Sequence, residues 1–137
     1  MSDVPREPGL YVVLREKDDR PTYLSINTAG RFKGKDPTVN VPILKAAWVS
    51  GAHIIYIGKT SQRKGLRKRL TDLIEFGGGK RIGHWGGRYL WQVAGSSEFV
   101  IAWRQSPAAT NPRDEEKRLL QRFREVYGQL PFANLRN

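Results

Sequence analysis

Apolar residues along this chain fall into short blocks that alternate with segments rich in glycine, proline and charge. Blocks of five or six apolar, β-branched or aromatic residues are typical of buried strands. The segments with this character are residues 9–14, 22–26, 53–57, 89–93 and 99–103. Residues 43–49 are compatible with a short helix or with a strand, and the pattern does not decide between them.

Two other blocks repeat their apolar residues at helical spacing. The first covers residues 66–76, where a helix would place four apolar residues on one face. These are Leu66, Leu70, Leu73 and Ile74. The glycines at 77–79 are expected to end this helix, because glycine readily adopts the positive φ of a helix C-cap.

The last predicted helix has the clearest ends. Asn111 can cap its first turn, Pro112 suits the first helical position, and Asp114 complements the helix dipole. The helix should run to about Tyr127, and Gly128 should end it.

Together these elements predict a small layered α/β fold, with helices that flank a central, mostly antiparallel sheet of about three core strands. The length of 137 residues and the hydrophobic fraction of 39% fit one folded domain over residues 1–137. Residues 20–50, which include a loop rich in Gly, Lys, Asp and Pro at 27–42, are predicted to be an insertion between the first two core strands.

Charge is the unusual property of the composition. The net charge is +11, and residues 59–88 carry nine Lys and Arg against Asp72 and Glu75, which leaves an excess of +7 in this segment. Clustering of this kind is typical of a surface that binds phosphate backbones. A solvated basic face that only aids solubility is the alternative, although solubility would not require clustering.

Other classes of site are excluded or disfavoured by what the sequence lacks. It contains no cysteine, which excludes disulfides, cysteine–zinc sites and thiol nucleophiles, and its two histidines make a histidine-rich metal site unexpected. Residues 1–8 show no apolar core of a signal peptide, and no apolar run approaches the roughly 18 residues of a membrane span.

A carboxylate falls among the apolar positions of the last predicted helix. At about 100° per residue, Glu116 lies within the stripe formed by Leu119, Leu120, Phe123 and Tyr127. Glu115 and Arg118 are expected to point elsewhere. An inward carboxylate costs free energy unless it is paired, hydrogen-bonded or bound to a metal. It could therefore be a metal ligand, or a residue near a helix N-terminus that forms a salt bridge with a core arginine.

Two tripeptides lie at strand edges. They are Gly9-Leu10-Tyr11 and Tyr56-Ile57-Gly58, and the basic segment 59–70 follows the second. A phenol has a pKa of about 10, so a tyrosine can act as general base near neutral pH only with help from cations or a metal. Lys59 and Arg69 could give that help. The alternative is that both tyrosines are ordinary core residues of strands.

In their order along the chain, these motifs resemble the active-site signature of the GIY-YIG nuclease family. The matching segments are residues 9–11, 56–60 and 66–70, Glu116 with Leu119 and Leu120, and the ending Pro131-Phe132-Ala133-Asn134. The resemblance spans nearly the whole chain. It departs from the family in two places, with Leu10 at the usual isoleucine position and with 44 residues between Tyr11 and Tyr56, more than in compact members.

The resemblance implies a metal-dependent endonuclease that hydrolyses phosphodiester bonds in nucleic acid, with DNA as the expected substrate. The implied catalytic residues are Tyr11, Tyr56, Lys59, Arg69 and Glu116, with Asn134 in support. Either tyrosine would activate water with the help of Lys59, and Arg69 would stabilise charge on the phosphate. Glu116 would hold one divalent cation, Mg²⁺ or another such as Mn²⁺.

Aromatic and basic residues also meet in the segment 84–88, where they could stack on bases and hold phosphates. His84 is a candidate supporting residue there, although a turn with a core tryptophan explains the segment equally well. The residues expected to contact nucleic acid are Arg63, Lys64, Arg67, Lys68, Lys80, Arg81 and Arg88.

Two further interpretations stay open, a nuclease-like fold that only binds nucleic acid and a structural or protein-interaction domain with an incidental basic face. The tyrosine, arginine and glutamate set favours the enzyme, because a pure binder has no need for an inward carboxylate. Specificity could come from the insertion, from a homodimer or from an accessory protein. The expected location is cytoplasmic and nucleoid-associated, without membrane contact.

Overall fold

The fold is known from a computed structural model, which describes residues 2–60 and 64–135. Its centre is a three-stranded antiparallel sheet of order β2-β1-β3, with β1 at Gly9–Leu14, β2 at Ile54–Lys59 and β3 at Val100–Gln105. The α-helices are α1 at Val41–Ala47, α2 at Gly65–Gly77 and α3 at Pro112–Tyr127. Two 3₁₀ helices cover Trp85–Gln92 and Ser96–Glu98. The predicted small layered α/β fold, with helices beside a sheet of about three strands, is confirmed.

The central strand β1 brings the two tripeptides side by side. In the antiparallel register, Leu10 lies opposite Lys59 and Tyr11 lies opposite Gly58. On the other side of β1, Tyr11 lies opposite Trp103 of β3. Directly opposite residues of an antiparallel pair project from the same face of the sheet. Tyr11 therefore shares a face with Gly58, where no side chain competes for space.

The N-terminal segment supports the start of α2. The backbone N–H of Leu66 donates to the carbonyl of Glu7 at 2.9 Å, and that of Arg67 donates to the carbonyl of Pro5 at 3.0 Å. These bonds satisfy first-turn amides that have no partner within the helix. The helix buries Leu66, Leu70 and Leu73 as predicted. The prediction for Ile74 was wrong, since this residue is 45% exposed, whereas Phe76 near the end of the helix is fully buried.

The ends of α3 agree with the sequence prediction. The side chain of Asn111 accepts a hydrogen bond from the backbone N–H of Arg113 at 2.9 Å. Gly128 ends the helix with φ of 79°, a left-handed conformation that disfavours other residues. Within residues 2–60 and 64–135, no helix is both long and apolar enough to cross a bilayer.

Two predicted strands are absent from the described structure. Residues 22–26 form only an isolated bridge, between Tyr23 and Val93, and most of residues 89–93 belongs to the 3₁₀ helix Trp85–Gln92. Gly87, Leu90 and Val93 are buried at a spacing of three, which fits a 3₁₀ helix better than a strand. The buried side chain of Gln92 favours this conformation, because it bonds to backbone groups of Leu24 and Val39 and not to a neighbouring strand.

Candidate active site

Tyr11 and Tyr56 form a buried aromatic pair on the sheet face that α2 covers. Their ring centroids are 6.0 Å apart at an interplanar angle of 47°, and the two residues are 0% and 8% exposed. The ring of Tyr11 passes directly over Gly58. A Cβ at position 58 would overlap the Tyr11 ring and hydroxyl. The glycine of the second tripeptide is therefore a steric requirement of the tyrosine in the first.

His84 joins this pair from the loop that follows α2. Its Nε2 lies 3.2 Å from the Tyr11 hydroxyl, and its ring centroid lies 6.2 Å from that of Tyr56. His84 is only 1% exposed, and its Nδ1 has no hydrogen-bond partner among the described residues. The sequence made His84 a candidate, and the fold brings it to the tyrosines.

The proton on His84 is best assigned to Nε2. Burial, together with the nearby Arg69, lowers the pKa of His84 to about 3, so its imidazole is neutral near pH 7. A neutral imidazole carries one N–H. A buried N–H without an acceptor is rarer in proteins than a buried acceptor without a donor. With the proton on Nε2, His84 donates to the Tyr11 oxygen and leaves only a lone pair at Nδ1.

Arg69 of α2 reaches the same cluster. Its Nη1 donates to the carbonyl of Gly83 at 3.4 Å, which holds the guanidinium beside the His84 loop. Its positive charge lowers the pKa of both Tyr11 and Tyr56 against the opposing effect of burial. Burial dominates, so the pKa of Tyr56 is raised and that of Tyr11 is raised well above its ordinary value. The more exposed Tyr56 is also the phenol that loses its proton more easily.

Glu116 of α3 is half-buried on the same side of the molecule. Burial raises the pKa of its carboxyl, and the charges of Lys59 and Arg69 oppose that shift. Glu116 is not hydrogen-bonded or ion-paired within the described part of the chain, so its carboxylate faces two cations without a fixed partner. The predicted catalytic residues Tyr11, Tyr56, Lys59, Arg69 and Glu116 thus lie in one electrostatic neighbourhood.

The prediction that Glu115 points away from the core was wrong. Glu115 is 6% exposed, while Glu116 is half-buried. The Glu115 carboxylate accepts from Arg104 of β3 at 2.9 Å and from the Thr110 hydroxyl at 3.3 Å. A salt bridge to an arginine was the alternative role predicted for Glu116. Glu115 forms such a bridge instead, because α3 is rotated so that position 115 faces β3.

Asn134 fixes the edge of β2 next to the tyrosine pair. Its side-chain oxygen accepts from the N–H of Ile57 at 3.0 Å, and its Nδ2 donates to the carbonyl of the same residue at 2.9 Å. The N–H of Ala133 also donates to the carbonyl of Ile55 at 2.8 Å. The C-terminal segment thus satisfies backbone groups that an edge strand would leave open, and it braces the strand between Tyr56 and Gly58.

The residues predicted to contact nucleic acid are in different environments. Lys64 and Lys68 lie 3.3 and 2.9 Å from the oxygens of Asp72, a carboxylate that is 1% exposed. Lys80 pairs with Glu75 at 3.2 Å. These three lysines therefore have intramolecular partners, and any phosphate would have to compete with a carboxylate for each of them.

The arginines predicted to contact nucleic acid also lie in different environments. Arg67 donates to the backbone carbonyls of Val4 and Ser2 at 2.8 and 3.0 Å. Arg88 stacks over the ring of Trp85, with its guanidinium carbon 4.7 Å from the ring centroid. Arg81 is exposed, with no ion pair to any residue within the described ranges. Arg63 lies outside the described residues.

A metal ion would have one protein carboxylate here. Among residues 2–60 and 64–135, no group of three or more His, Asp or Glu side chains could form a metal cage. Mg²⁺ commonly keeps several waters and binds through one or two carboxylates plus substrate phosphates. The half-buried and unpartnered carboxylate of Glu116 fits that mode of binding.

Sequence reasoning missed two structural supports of this region. Asp72 is buried beneath Lys64 and Lys68, and its charge lies close enough to His84 to raise the pKa of the imidazole against burial. The spacing of four between Lys68 and Asp72 was a usable signal. Gln92, which is 0% exposed, gave no signal, because its partners lie more than 50 residues away in the chain.

No protein-family model, curated protein or solved structure matches this chain.

Proposed function

We propose that this protein is a metal-dependent endonuclease of the GIY-YIG type that hydrolyses phosphodiester bonds in nucleic acid, with DNA as the expected substrate. The observation that carries the proposal is the convergence of a buried tyrosine pair, Arg69 and an unpartnered Glu116. The register of β1 and β2 adds support, because it lets the Tyr11 ring cross Gly58. Ionisable residues with pKa values perturbed by burial and by a specific charge partner are characteristic of functional sites.

Tyr56 is the better general base of the two tyrosines. Tyr11 is fully buried and accepts a hydrogen bond from His84 in the tautomer assigned above, which leaves its own hydroxyl hydrogen to donate to Tyr56. That hydrogen bond and the charge of Arg69 both favour the phenolate of Tyr56. Tyr56 would take the proton of the attacking water, and Tyr11 would stabilise the resulting charge.

The remaining residues would act on the phosphate. Arg69 presents a fixed fork of donors that suits the extra negative charge of a phosphoryl transition state. Glu116 would hold a divalent cation, which when bound supplies Lewis-acid stabilisation of the phosphate and its leaving oxygen. Lys59 lies opposite Leu10 at the end of β2 and contributes a positive charge beside Glu116.

The decisive experiment is a cleavage assay on plasmid DNA and on RNA with Mg²⁺, with Mn²⁺ and with EDTA. Wild-type protein and Glu116→Gln are compared at equal concentration, with Glu125→Gln as a matched control on the exposed side of the same helix. We expect metal-dependent cleavage by the wild type and the control, and a rate lower on the order of 100-fold or more for Glu116→Gln. Cleavage that survives in EDTA would contradict the proposal.

One observation favours the runner-up function, a module that binds nucleic acid without cleaving it. Burial raises the pKa of both tyrosines, which makes each a poor base unless substrate or metal adds positive potential. Under this alternative, the wild type would bind DNA with strong salt dependence and show no cleavage with any divalent cation. The same assay, run beside a binding measurement, separates the two functions.

A further inference from the structure

A groove apart from the tyrosine cluster opens between the start of the insertion and α1. It is an open groove of about 610 Å³, and its walls include Arg20, Tyr23, Lys45, Trp48 and Ser50. This volume lies within the roughly 300–1,000 Å³ that is usual for ligand sites. Its described walls contain none of the residues proposed for cleavage. A ligand could therefore occupy the groove whether or not the protein is a nuclease.

The groove carries a positive charge that the protein itself does not neutralise. Arg20 and Lys45 are exposed, and within residues 2–60 and 64–135 neither has an acidic partner. Of the carboxylates next to Arg20 in sequence, Asp19 is paired with Arg15 at 2.9 Å, and Asp18 lies 3.2 Å from the ring of His53, outside the groove walls. Two cations over one concave surface without a carboxylate in its described walls indicate an anionic ligand.

The aromatic part of the wall is held in a fixed position. Trp48 packs edge-on against Phe132 with ring centroids 5.1 Å apart, and Tyr23 packs against the same ring at 6.2 Å. The backbone on both sides of Tyr23 is held by hydrogen bonds. The Leu24 N–H donates to the carbonyl of Gln92 at 2.8 Å, and the Ala94 N–H donates to the carbonyl of Thr22 at 2.9 Å. Both rings are only half-buried. The Arg15 guanidinium lies 5.5 Å from the Trp48 ring centroid, so a ligand would use the part of that ring that Arg15 does not cover. A wall already ordered before binding costs little entropy when it is occupied.

We infer that this groove binds a nucleotide unit of a single-stranded nucleic acid. Arg20 and Lys45 would hold the phosphates, the base would lie against Tyr23 and Trp48, and the Ser50 hydroxyl would add a hydrogen bond. Aromatic surface beside cations is the usual composition of single-strand sites, because every base has a face that can stack. A paired duplex does not fit this description, since its bases are already stacked on each other.

Fluorescence anisotropy with three labelled probes tests the inference. The probes are a short thymidine oligonucleotide, an abasic oligonucleotide of the same length and a duplex of equal phosphate number. The wild type should bind the thymidine strand more tightly than the abasic strand. The double variant Arg20→Gln, Lys45→Gln should weaken thymidine binding by about tenfold, and it should lower the slope of log K against log salt by about 0.7 for each lost phosphate contact.

A charge-matched control tests whether the loss of binding comes from the groove or only from the lower net charge. Lys33→Gln with Lys35→Gln removes the same charge from exposed positions of the insertion outside the groove. This control should change thymidine binding less than about twofold. Equal losses in the two double variants would overturn the inference, because they would show a general charge effect. The exposed positions of all four residues make misfolding of either variant unexpected, and circular dichroism checks it.

Two further arms identify the ligand. Trp48→Leu should reduce the preference for thymidine over abasic strand while keeping the Arg20 and Lys45 contribution, because leucine offers no ring face for a base to stack on. Equal affinity of the wild type for both strands would overturn the stacking role without any variant. Thymidine monophosphate and inorganic phosphate serve as competitors. If either one competed as strongly as the oligonucleotide, the site would belong to a free nucleotide or a simple anion, and the assignment to a strand would fail.

Discussion

The Tyr11 hydroxyl lies 3.2 Å from Nε2 of His84, although the two residues are 73 positions apart in the chain. Both are almost completely buried, and His84 has no other side-chain hydrogen bond within the described residues. This bond determines which tyrosine of the pair is the donor. A neutral imidazole that donates from Nε2 makes the Tyr11 oxygen an acceptor. Tyr11 is then free to donate to Tyr56.

The burial of His84 should make stability depend on pH. Its pKa is about 3 in the folded protein, against about 6.5 in the unfolded chain. The unfolded state therefore binds more protons between these values, and stability falls as pH drops from about 6.5 towards 3. The shift corresponds to at most about 5 kcal/mol of unfolding free energy for this buried group. Urea unfolding at pH 7 and pH 4.5 should show a loss that His84→Gln reduces.

His53→Gln is the control for that measurement. His53 is the other histidine of the chain, and its side chain is 49% exposed beside Asp18. This variant should retain the wild-type loss of stability between the two pH values. Equal pH dependence in the wild type and in His84→Gln would show that His84 is not the group responsible.

Gly58→Ala should damage the site more than the fold. The added methyl group would overlap the Tyr11 ring, so that ring must move away from Tyr56. We expect cleavage to fall on the order of 100-fold, since small displacements at a reacting centre are costly. Stability should fall by about 1–3 kcal/mol, the usual range for overpacking a core. Gly86→Ala is the matched control, because a Cβ there meets no atom within 4 Å. Similar cleavage by the two variants would remove Tyr11 from the mechanism.

The parts of the structure that sequence predicted are those that local signals determine. Asn111, Pro112 and Gly128 mark the ends of α3 by their own conformational preferences, and the β-branched run before Gly58 marks β2. The strand predicted at residues 89–93 failed because its conformation depends on the distant partners of Gln92. The burial of Glu115 could not be foreseen, because it depends on how α3 is rotated against Arg104. His84 had no local signal that would pair it with a tyrosine at the other end of the chain.

Arg69 and Arg67 should respond differently to the same substitution. Arg69→Ala removes the guanidinium beside Tyr11 and Tyr56, so cleavage should fall on the order of 100-fold with little change in DNA affinity. Arg67→Ala removes two bonds to the N-terminal backbone, so it should lower the unfolding free energy by about 1–3 kcal/mol while turnover stays near the wild-type value. Single-turnover cleavage and thermal melts of both variants measure these effects. A larger cleavage defect in Arg67→Ala would mean that the arginines have been assigned the wrong roles.

Substitutions of the neighbouring residues Glu116 and Glu115 on α3 should have different effects. Glu116→Gln should lower the cleavage rate, and Glu115→Gln should lower the unfolding free energy. Glu116 has no fixed partner within the described chain, and burial raises the pKa of its carboxyl. Glu116→Gln should therefore leave the metal-free protein as stable as the wild type or more so, and should abolish the rise in Tm that Mg²⁺ gives by binding only the folded state. Cleavage should fall on the order of 100-fold or more if the metal supplies its usual transition-state stabilisation.

Glu115→Gln should show the opposite pattern. It weakens the bond to Arg104, whose side chain is 61% exposed, so we expect a loss of only about 1 kcal/mol in unfolding free energy. Its response to Mg²⁺ and its cleavage rate should match the wild type. Thermal melts of the three proteins, each with Mg²⁺ and with EDTA, distinguish the roles in one experiment. A large loss of stability in Glu116→Gln that is the same with and without metal would make Glu116 a structural residue and favour the binding module over the nuclease.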